Sequence, residues 1–197
     1  MSNRNLEFLF EIATLRNCPR GWIQHMGVDC ASVLEHTYRV MWLALIIARL
    51  EKTQVDENKI IKMAFVHDLP ETRTSDLNYV AKGYVTPNEQ LAADDLFKQT
   101  IVEDYKDIWE EYEKRECLEA KIVRDADNLD LDFEQKELEE RGHKLPGKWK
   151  EHTRRTIRND SLYTETAKKI WDELQECDPQ SWHMNSHKYL KNPNAGK

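Results

Sequence analysis

Two histidines and two aspartates are the residues of this sequence best suited to chemistry. His36 and His67 continue apolar stripes at helical spacing, where they point along a predicted core face. Asp68 directly follows His67, and Asp127 lies on the inner flank of a later predicted helix. Burying two carboxylates beside two imidazoles is costly unless a cation or a hydrogen-bond network compensates for them. One divalent metal ion would do so, and mixed nitrogen and oxygen ligation suits Mn, Co, Fe, Ni or Zn better than Ca.

Each histidine taken singly is more simply explained as a hydrogen-bonded core residue. The acidic residues change this interpretation, because Asp68 and Asp127 lie at positions from which they can reach the same point as the histidines. Glu71 and Asp76 follow Asp68 within the same predicted turn region, where neighbouring side chains converge. The set as a whole therefore favours a metal site, and Glu71 and Asp76 are its nearest candidate polar neighbours.

Helices must position these side chains, since apolar residues recur at three-four spacing and the chain has only six Gly and six Pro. Ser32, with Glu35 three residues later, predicts a capping box at the start of a long apolar helix. Residues 70–88 hold Pro70, Gly83 and Pro87 and predict irregular structure. The predicted helices cover about 6–17, 33–50, 56–67, 88–113, 116–141 and 149–176.

No segment alternates strictly over the length of a strand, so the predicted fold class is all-α. The length of 197 residues favours one domain. We place that domain, a single helical bundle, at residues 1–177. Residues 178–197 form a polar C-terminal tail in this prediction.

The composition excludes several classes of partner. With 29 basic and 36 acidic residues, the net charge is −7, which argues against a binder of nucleic acid polymers or of membrane surfaces. The apolar run 40–48 is far shorter than the ~20 residues of a membrane span. We see no signal peptide, and the four scattered cysteines predict free thiols in a reducing compartment. We therefore expect a cytoplasmic protein.

The order of the four candidate ligands resembles the H…HD…D signature of the HD-domain metal-dependent phosphohydrolases. The resemblance extends to the sequence around that signature. These flanking segments are similar to the branch of the family that contains bacterial 5′-deoxynucleotidases and their eukaryotic homologues. It covers about residues 20–140. The segments that carry it are RGW (20–22), SVLEHTYRV (32–40), AFVHDLPETRTSDL (64–77) and KIVRDADNLDLDFE (121–134).

The resemblance implies a single-domain, all-α HD bundle that is usually a homodimer, and it implies roles for eight residues. One divalent ion (Mn, Co, Fe, Ni, Zn or Mg) is expected on four protein ligands. Glu71 corresponds to the acid beside the attacking water, and Asp76 to the carboxylate that contacts the sugar and helps to reject ribonucleotides. Arg20 and Trp22 correspond to a loop over the phosphate and sugar. The four implied ligands are His36, His67, Asp68 and Asp127.

Three departures from the family pattern all fall on substrate recognition. Gly21 separates Arg20 from Trp22, Ser75 stands where the deoxynucleotidases carry Gly, and Asn78-Tyr79-Val80 replaces a segment with proline. Each of the implied substrate contacts also has a simple structural alternative. Arg20 is then a solvated charge, Trp22 a plug at the end of the bundle, and Asp76 a helix cap.

The implied activity is hydrolysis of deoxynucleoside 5′-monophosphates, small-molecule nucleotides, to deoxynucleoside and phosphate. Two alternatives stay open. One is a deoxynucleoside triphosphate triphosphohydrolase, or a hydrolase of another small phosphate ester, which uses the same metal centre. The other is a non-catalytic nucleotide-sensing HD module, which has no need of Glu71. A triphosphate requires basic residues at the mouth of the site, for which the candidates are Lys62, Arg73, Lys82, Lys121 and Arg124.

Overall fold

The structure is a computed structural model that describes residues 3–184, and helices dominate it. No strand occurs among these residues, so the prediction of an all-α fold is confirmed. Short 3₁₀ helices cover Ala13–Asn17 and Ala81–Gly83. In chain order the α-helices are α1 Asn3–Ile12, α2 Ile23–Met26, α3 Val33–Leu50, α4 Glu57–Val66, α5 Glu71–Thr74, α6 Glu89–Phe97, α7 Tyr105–Lys114, α8 Leu118–Glu140, α9 Leu145–Glu151, α10 Ile157–Asp160, α11 Glu165–Glu176 and α12 Ser181–Met184.

Helices α3, α4 and α8 form the centre of the molecule, and α3 packs most extensively against α8. The predicted capping box starts α3: the Ser32 hydroxyl accepts from the Glu35 N–H, and the Glu35 carboxylate accepts from the Ser32 N–H. Small residues lie where the three helices meet, and Ala44, Ala64 and Ala126 are all fully buried. Because alanine adds little bulk, the helix axes come close and the polar side chains beside them converge.

The sequence prediction of one helix over about 88–113 is wrong, because the chain breaks between α6 and α7. Gln99 in this break adopts a positive φ of 60°, which an α-helix does not allow. Packing explains the break, since Phe97 before it and Trp109 after it enter the same apolar cluster as Phe8 of α1. A straight helix would separate Phe97 and Trp109 by about 18 Å along its axis.

The predicted helix over about 149–176 is also divided, here into α9, α10 and α11. Thr164 caps α11 by accepting from the Ala167 N–H. Asp125 of α8 holds this cap: its fully buried carboxylate accepts from the Tyr163 N–H at 2.7 Å and from the Thr164 N–H at 2.8 Å. The segment after α9 is thus tied to the central helix by a buried carboxylate that the apolar pattern does not indicate.

The described residues end within the predicted tail, because α12 covers Ser181–Met184 and residues 185–197 lie outside the described part. The division into a domain over 1–177 and a tail over 178–197 stays a prediction. Within residues 3–184, none of the helices has the length and apolar character needed to cross a membrane.

The tether at Asp125 generates a stability prediction. Asp125→Ala leaves two main-chain N–H groups without their acceptor, so we expect the free energy of unfolding to fall by about 3 kcal/mol. Urea denaturation followed by circular dichroism measures this loss. Asp172→Ala is the matched control, because it removes an exposed pair with Arg158 and should cost less than about 0.5 kcal/mol. Equal losses in the two variants would contradict the role of Asp125.

Candidate metal centre

His36 lies in the first half of α3, and its imidazole is completely buried. Its Nδ1 is 2.6 Å from Oδ2 of Asp130, a carboxylate on α8 that is also buried. A carboxylate accepts hydrogen bonds, so the proton of the neutral ring lies on Nδ1. The lone pair of His36 Nε2 then points to the opposite side of the ring.

His67 and Asp68 follow the last turn of α4, where the chain turns into α5. His67 Nδ1 lies 2.8 Å from the Ala64 carbonyl oxygen, which fixes the proton of this ring on Nδ1 as well. The Trp109 indole N–H donates to the His67 carbonyl oxygen at 3.2 Å and holds the turn from the other side. His67 Nε2 therefore also presents a lone pair.

The four predicted ligands lie together between α3, α4 and α8: ligand atoms of His36, His67 and Asp127 lie within 4.8 Å of one another, and Asp68 contacts both histidines. His36 Nε2 is 3.3 Å from His67 Nε2, 3.4 Å from Asp68 Oδ2 and 3.2 Å from Asp127 Oδ1. His67 Nε2 is 3.2 Å from the same Asp68 oxygen. Ligand atoms about 2.0–2.2 Å from one ion are separated by about this distance, as in tetrahedral sites.

The electrostatics of this cluster require a positive charge at its centre. Burial opposes the charged form of His36, but hydrogen bonds with Asp127, Asp130 and Asp68 outweigh it and raise the pKa of the imidazole well above its ordinary value. Burial likewise opposes ionisation of Asp127, yet the Arg124 guanidinium and the His36 hydrogen bond hold its pKa below the usual range. Two imidazole nitrogens facing two carboxylates form a donor set that fits a divalent metal ion.

Glu71 opens α5, one turn after Asp68, and lines the same pocket. Burial, together with the charges of Asp68 and Asp76, raises the pKa of the Glu71 carboxyl to about 10. Its Oε2 is buried and has no hydrogen-bond partner among the described residues. Glu71 therefore places an unpaired carboxyl oxygen next to the cluster, and the direction of its pKa shift favours the protonated acid.

Arg20 and Asp76 belong to two loops that cross beside the cluster. Arg20 Nη1 donates to Asp68 Oδ2 at 3.3 Å, and Arg20 Nε forms an ion pair with Asp76 Oδ2 at 3.2 Å. The Gly21 N–H donates to the same Asp76 oxygen at 3.1 Å. A Cβ at Gly21 would lie 2.4 Å from the Asp76 carbonyl oxygen, so the crossing requires glycine. Ser75 keeps a backbone of φ 62° and ψ 156°, a region that favours the glycine expected there.

Trp22 lies apart from the other seven predicted site residues. Its indole is buried in an apolar cluster and packs edge-to-face on Trp149, with ring centroids 6.2 Å apart. It does not belong to the pocket lining. The structure thus brings together Arg20, His36, His67, Asp68, Glu71, Asp76 and Asp127, with Trp22 behind the Arg20 loop.

The cluster lies at the floor of an open cavity of about 490 Å³. Of the cationic residues proposed from sequence, Lys82 and Arg124 line this cavity, whereas Arg73 lies elsewhere, paired with Glu11. Sequence reasoning missed Arg115 and Arg154, which also line it. Only their contacts reveal them, since Arg154 reaches the cavity from the segment after α9 through a bidentate pair with Asp132.

Asp130 is the other functional candidate that sequence reasoning missed. It lies three residues after Asp127, so the two carboxylates share a helix face with one turn between them. An acidic residue at that spacing beside a candidate ligand is a usable signal. Its contact with His36 makes it a partner of the ligand cluster rather than a member of it.

Comparison of this chain with known proteins identifies the family to which it belongs. Residues 12–176 match the family model described as HD domain. The chain is 31% identical over 171 residues to a protein named 5′-deoxynucleotidase HDDC2 from Dictyostelium discoideum, covering 76% of this chain and 85% of that protein. It is 31% identical over 153 residues to the protein of the same name from Danio rerio, covering 74% of each.

Solved structures agree with the sequence comparison. A conserved hypothetical protein from Pyrococcus furiosus superimposes with a TM-score of 0.74 at 26% identity, covering 87% of this chain and 99% of that chain. Residues 12–176, which match the family model, contain every residue of the cluster described above. The expectation drawn from the H…HD…D pattern is therefore confirmed: this chain belongs to the HD domain family.

Proposed function

We propose that this protein is a divalent-metal-dependent phosphohydrolase that cleaves deoxynucleoside 5′-monophosphates to deoxynucleoside and phosphate. The observation that carries the proposal is the convergence of His36, His67, Asp68 and Asp127 on one point at the floor of an open cavity. The names of the relatives from Dictyostelium discoideum and Danio rerio support the same reaction class.

The four converging side chains are the proposed ligands of one ion. When bound, a divalent ion lowers the pKa of a water molecule towards neutrality and neutralises charge on a phosphate oxygen. Mn, Co, Fe, Ni, Zn and Mg are all candidates for its identity, because nitrogen and oxygen donors are both present. Arg124 Nη1 pairs with Asp127 Oδ2 at 2.5 Å, which leaves Oδ1 of Asp127 directed at the cluster.

Glu71 is the proposed acid–base group. Water adds to phosphorus while the bond from phosphorus to the 5′ oxygen breaks, so one proton leaves the water and one reaches the departing oxygen. Glu71 Oε2, buried and unpaired among the described residues, is placed to carry a proton between them. Arg20 has a guanidinium beside the ligands and supplies charge complementary to the phosphate.

Asp76 is the proposed reader of the sugar. Its contacts with Arg20 and the Gly21 N–H both use Oδ2. Within residues 3–184, Oδ1 is left to accept a hydrogen bond from a 3′-hydroxyl, and a 2′-hydroxyl would crowd the same carboxylate. Trp22 supports the Arg20 loop from the apolar side, which is a simpler role than direct contact with the nucleotide.

A deoxynucleoside triphosphate triphosphohydrolase is the second candidate. The observation that favours it is that Lys82, Arg115, Arg124 and Arg154 line the cavity in addition to Arg20, although carboxyl groups of the same lining balance their charge. A non-catalytic nucleotide sensor is disfavoured, since it needs neither Glu71 nor an open path to the ligands. Product analysis separates these three functions.

We also propose that the protein is a homodimer that pairs through α3. This helix exposes large apolar side chains at every fourth position, with Trp42 at the centre of the row. Such an i±4 ridge is the surface that packs into the matching groove of a second helix. A two-fold axis at Trp42 would bring Tyr38 of one copy opposite Ile46 of the other. The exposed row is Leu34, Tyr38, Trp42, Ile46 and Leu50.

The predicted cytoplasmic location stays part of this proposal. Cys18, Cys30, Cys117 and Cys177 are free thiols in the structure, which supports a reducing compartment.

The metal centre and the substrate class are tested together by product analysis. We expect orthophosphate from deoxynucleoside monophosphates in the presence of Mn²⁺ or Co²⁺, and no product with a chelator. Asp68→Ala should lose both bound metal, measured by elemental analysis, and turnover, while the exposed control Asp107→Ala keeps both. Tripolyphosphate from deoxynucleoside triphosphates would instead establish the second candidate. Metal binding without any turnover would favour the sensor.

Glu71→Gln separates proton transfer from metal binding. The amide keeps the size of the carboxyl but carries no exchangeable acid, so we expect kcat to fall about 10²–10⁴-fold. Metal content should equal that of the unmodified protein. A change of less than threefold in kcat would contradict the acid–base role of Glu71.

Trp42→Glu tests the dimer face. A charge at the centre of the α3 row faces its own copy across the two-fold axis, so we expect a monomer by light scattering at micromolar concentration. The control Ile101→Glu alters an equally apolar residue that is 84% exposed outside the row, and it should stay dimeric. A dimeric Trp42→Glu variant, or a monomeric unmodified protein, would refute this interface.

A further inference from the structure

Buried Asp130 and partly exposed Arg39 form an ion pair directly behind the ligand cluster. The Asp130 carboxylate is only 1% exposed and lies between two groups that both require an acceptor. Oδ2 faces the His36 Nδ1 at 2.6 Å, and Oδ1 forms an ion pair with Arg39 Nε at 2.8 Å without hydrogen-bond geometry. Arg39 is itself held from outside, where its Nη1 donates to Glu137 Oε1 at 2.9 Å.

The two histidines of the cluster are oriented by different means. His67 Nδ1 faces the main-chain oxygen of Ala64, an acceptor that no side-chain substitution removes. His36 depends instead on a side chain, because its Nδ1 faces only Asp130. His36 is also the imidazole whose Nε2 lies within 3.4 Å of His67, Asp68 and Asp127. The tautomer of the most central ligand is thus set by one carboxylate.

We propose that Asp130, itself oriented by Arg39, is a positioning residue that keeps the His36 proton on Nδ1 and thereby sets the affinity of the site for a divalent ion. Partners of this kind raise the basicity of a ligating imidazole and fix its lone pair towards the metal. This inference rests on the proposed metal centre.

Asp130→Asn replaces one acceptor oxygen of the side chain with an NH₂ donor and leaves the size of the side chain unchanged. The amide has one oxygen, whereas the carboxylate offers one oxygen to His36 Nδ1 and the other to the Arg39 cation. The cationic Arg39 repels an NH₂ group, so the amide oxygen should turn to Arg39 and the NH₂ group to His36. His36 Nδ1 must then accept, which moves the ring proton to Nε2 and blocks the lone pair that faces the cluster.

The test uses Co²⁺ alone as the probe, with its affinity measured by competition against a chromophoric chelator. We expect Asp130→Asn to bind Co²⁺ about 10- to 100-fold more weakly than the unmodified protein. Asp125→Asn is the matched control, because Asp125 is equally buried on the same helix but accepts from Tyr163 and Thr164. It should lower stability while changing the Co²⁺ affinity by less than about threefold.

A second substitution separates a tautomer effect from a loss of packing or charge. In the double variant Asp130→Asn, Arg39→Met, the cation is gone and the amide oxygen is free to turn back to His36. We expect this variant to bind Co²⁺ at least about fivefold more tightly than Asp130→Asn alone, and its visible Co²⁺ spectrum to return towards that of the unmodified protein. A merely structural role predicts that the second substitution weakens binding further.

Three outcomes would overturn the inference. They are equal Co²⁺ affinities for Asp130→Asn and Asp125→Asn, no recovery in the double variant, or an unchanged Co²⁺ spectrum in Asp130→Asn. Failure of the metal centre itself is distinguishable from all three, because the unmodified protein would then bind no Co²⁺. Circular dichroism of each variant confirms that the comparison is made between folded proteins.

Discussion

The structure depends on one electrostatic constraint, which is the close approach of two buried imidazoles and two partly buried carboxylates. Separations of 3.2–3.4 Å between these atoms are unfavourable unless positive charge lies among them. The raised pKa of His36 shows that these carboxylates favour a positive charge beside them. Hydrogen bonds with Asp127, Asp130 and Asp68 overcome the burial that opposes the charged imidazole. A divalent ion meets this demand with more charge than a proton provides.

The bundle is built so that three helices can satisfy this constraint together. Helix α3 brings His36, the end of α4 brings His67 and Asp68, and α8 brings Asp127. Buried alanines such as Ala44, Ala64 and Ala126 add little bulk to the core that these helices share. Helix α7 also helps to position the ligands, because its Trp109 indole N–H donates to the His67 carbonyl oxygen and fixes the turn after α4.

The parts of this arrangement that depend on residues close together in sequence could be predicted from the sequence. The spacing of His36, His67-Asp68 and Asp127 along apolar helix faces indicated the ligands, and Ser32 with Glu35 indicated the start of α3. Features set by distant contacts could not be reached in this way. The chain leaves the helical conformation at Gln99 because Phe97 and Trp109 pack into one cluster, and no local pattern requires that. The spacing of Asp130 three residues after Asp127 is a usable signal, but its role behind His36 is revealed by their contact.

The charge of the cavity bears on how a protein of net charge −7 would accommodate the anionic substrate of its proposed function. Six carboxyl groups and five cationic side chains line the cavity, so its own charges nearly cancel. A dianionic phosphate is therefore attracted by the ion rather than by a surplus of arginine. Loss of the metal should accordingly weaken binding of the substrate as well as its hydrolysis, because the same charge serves both.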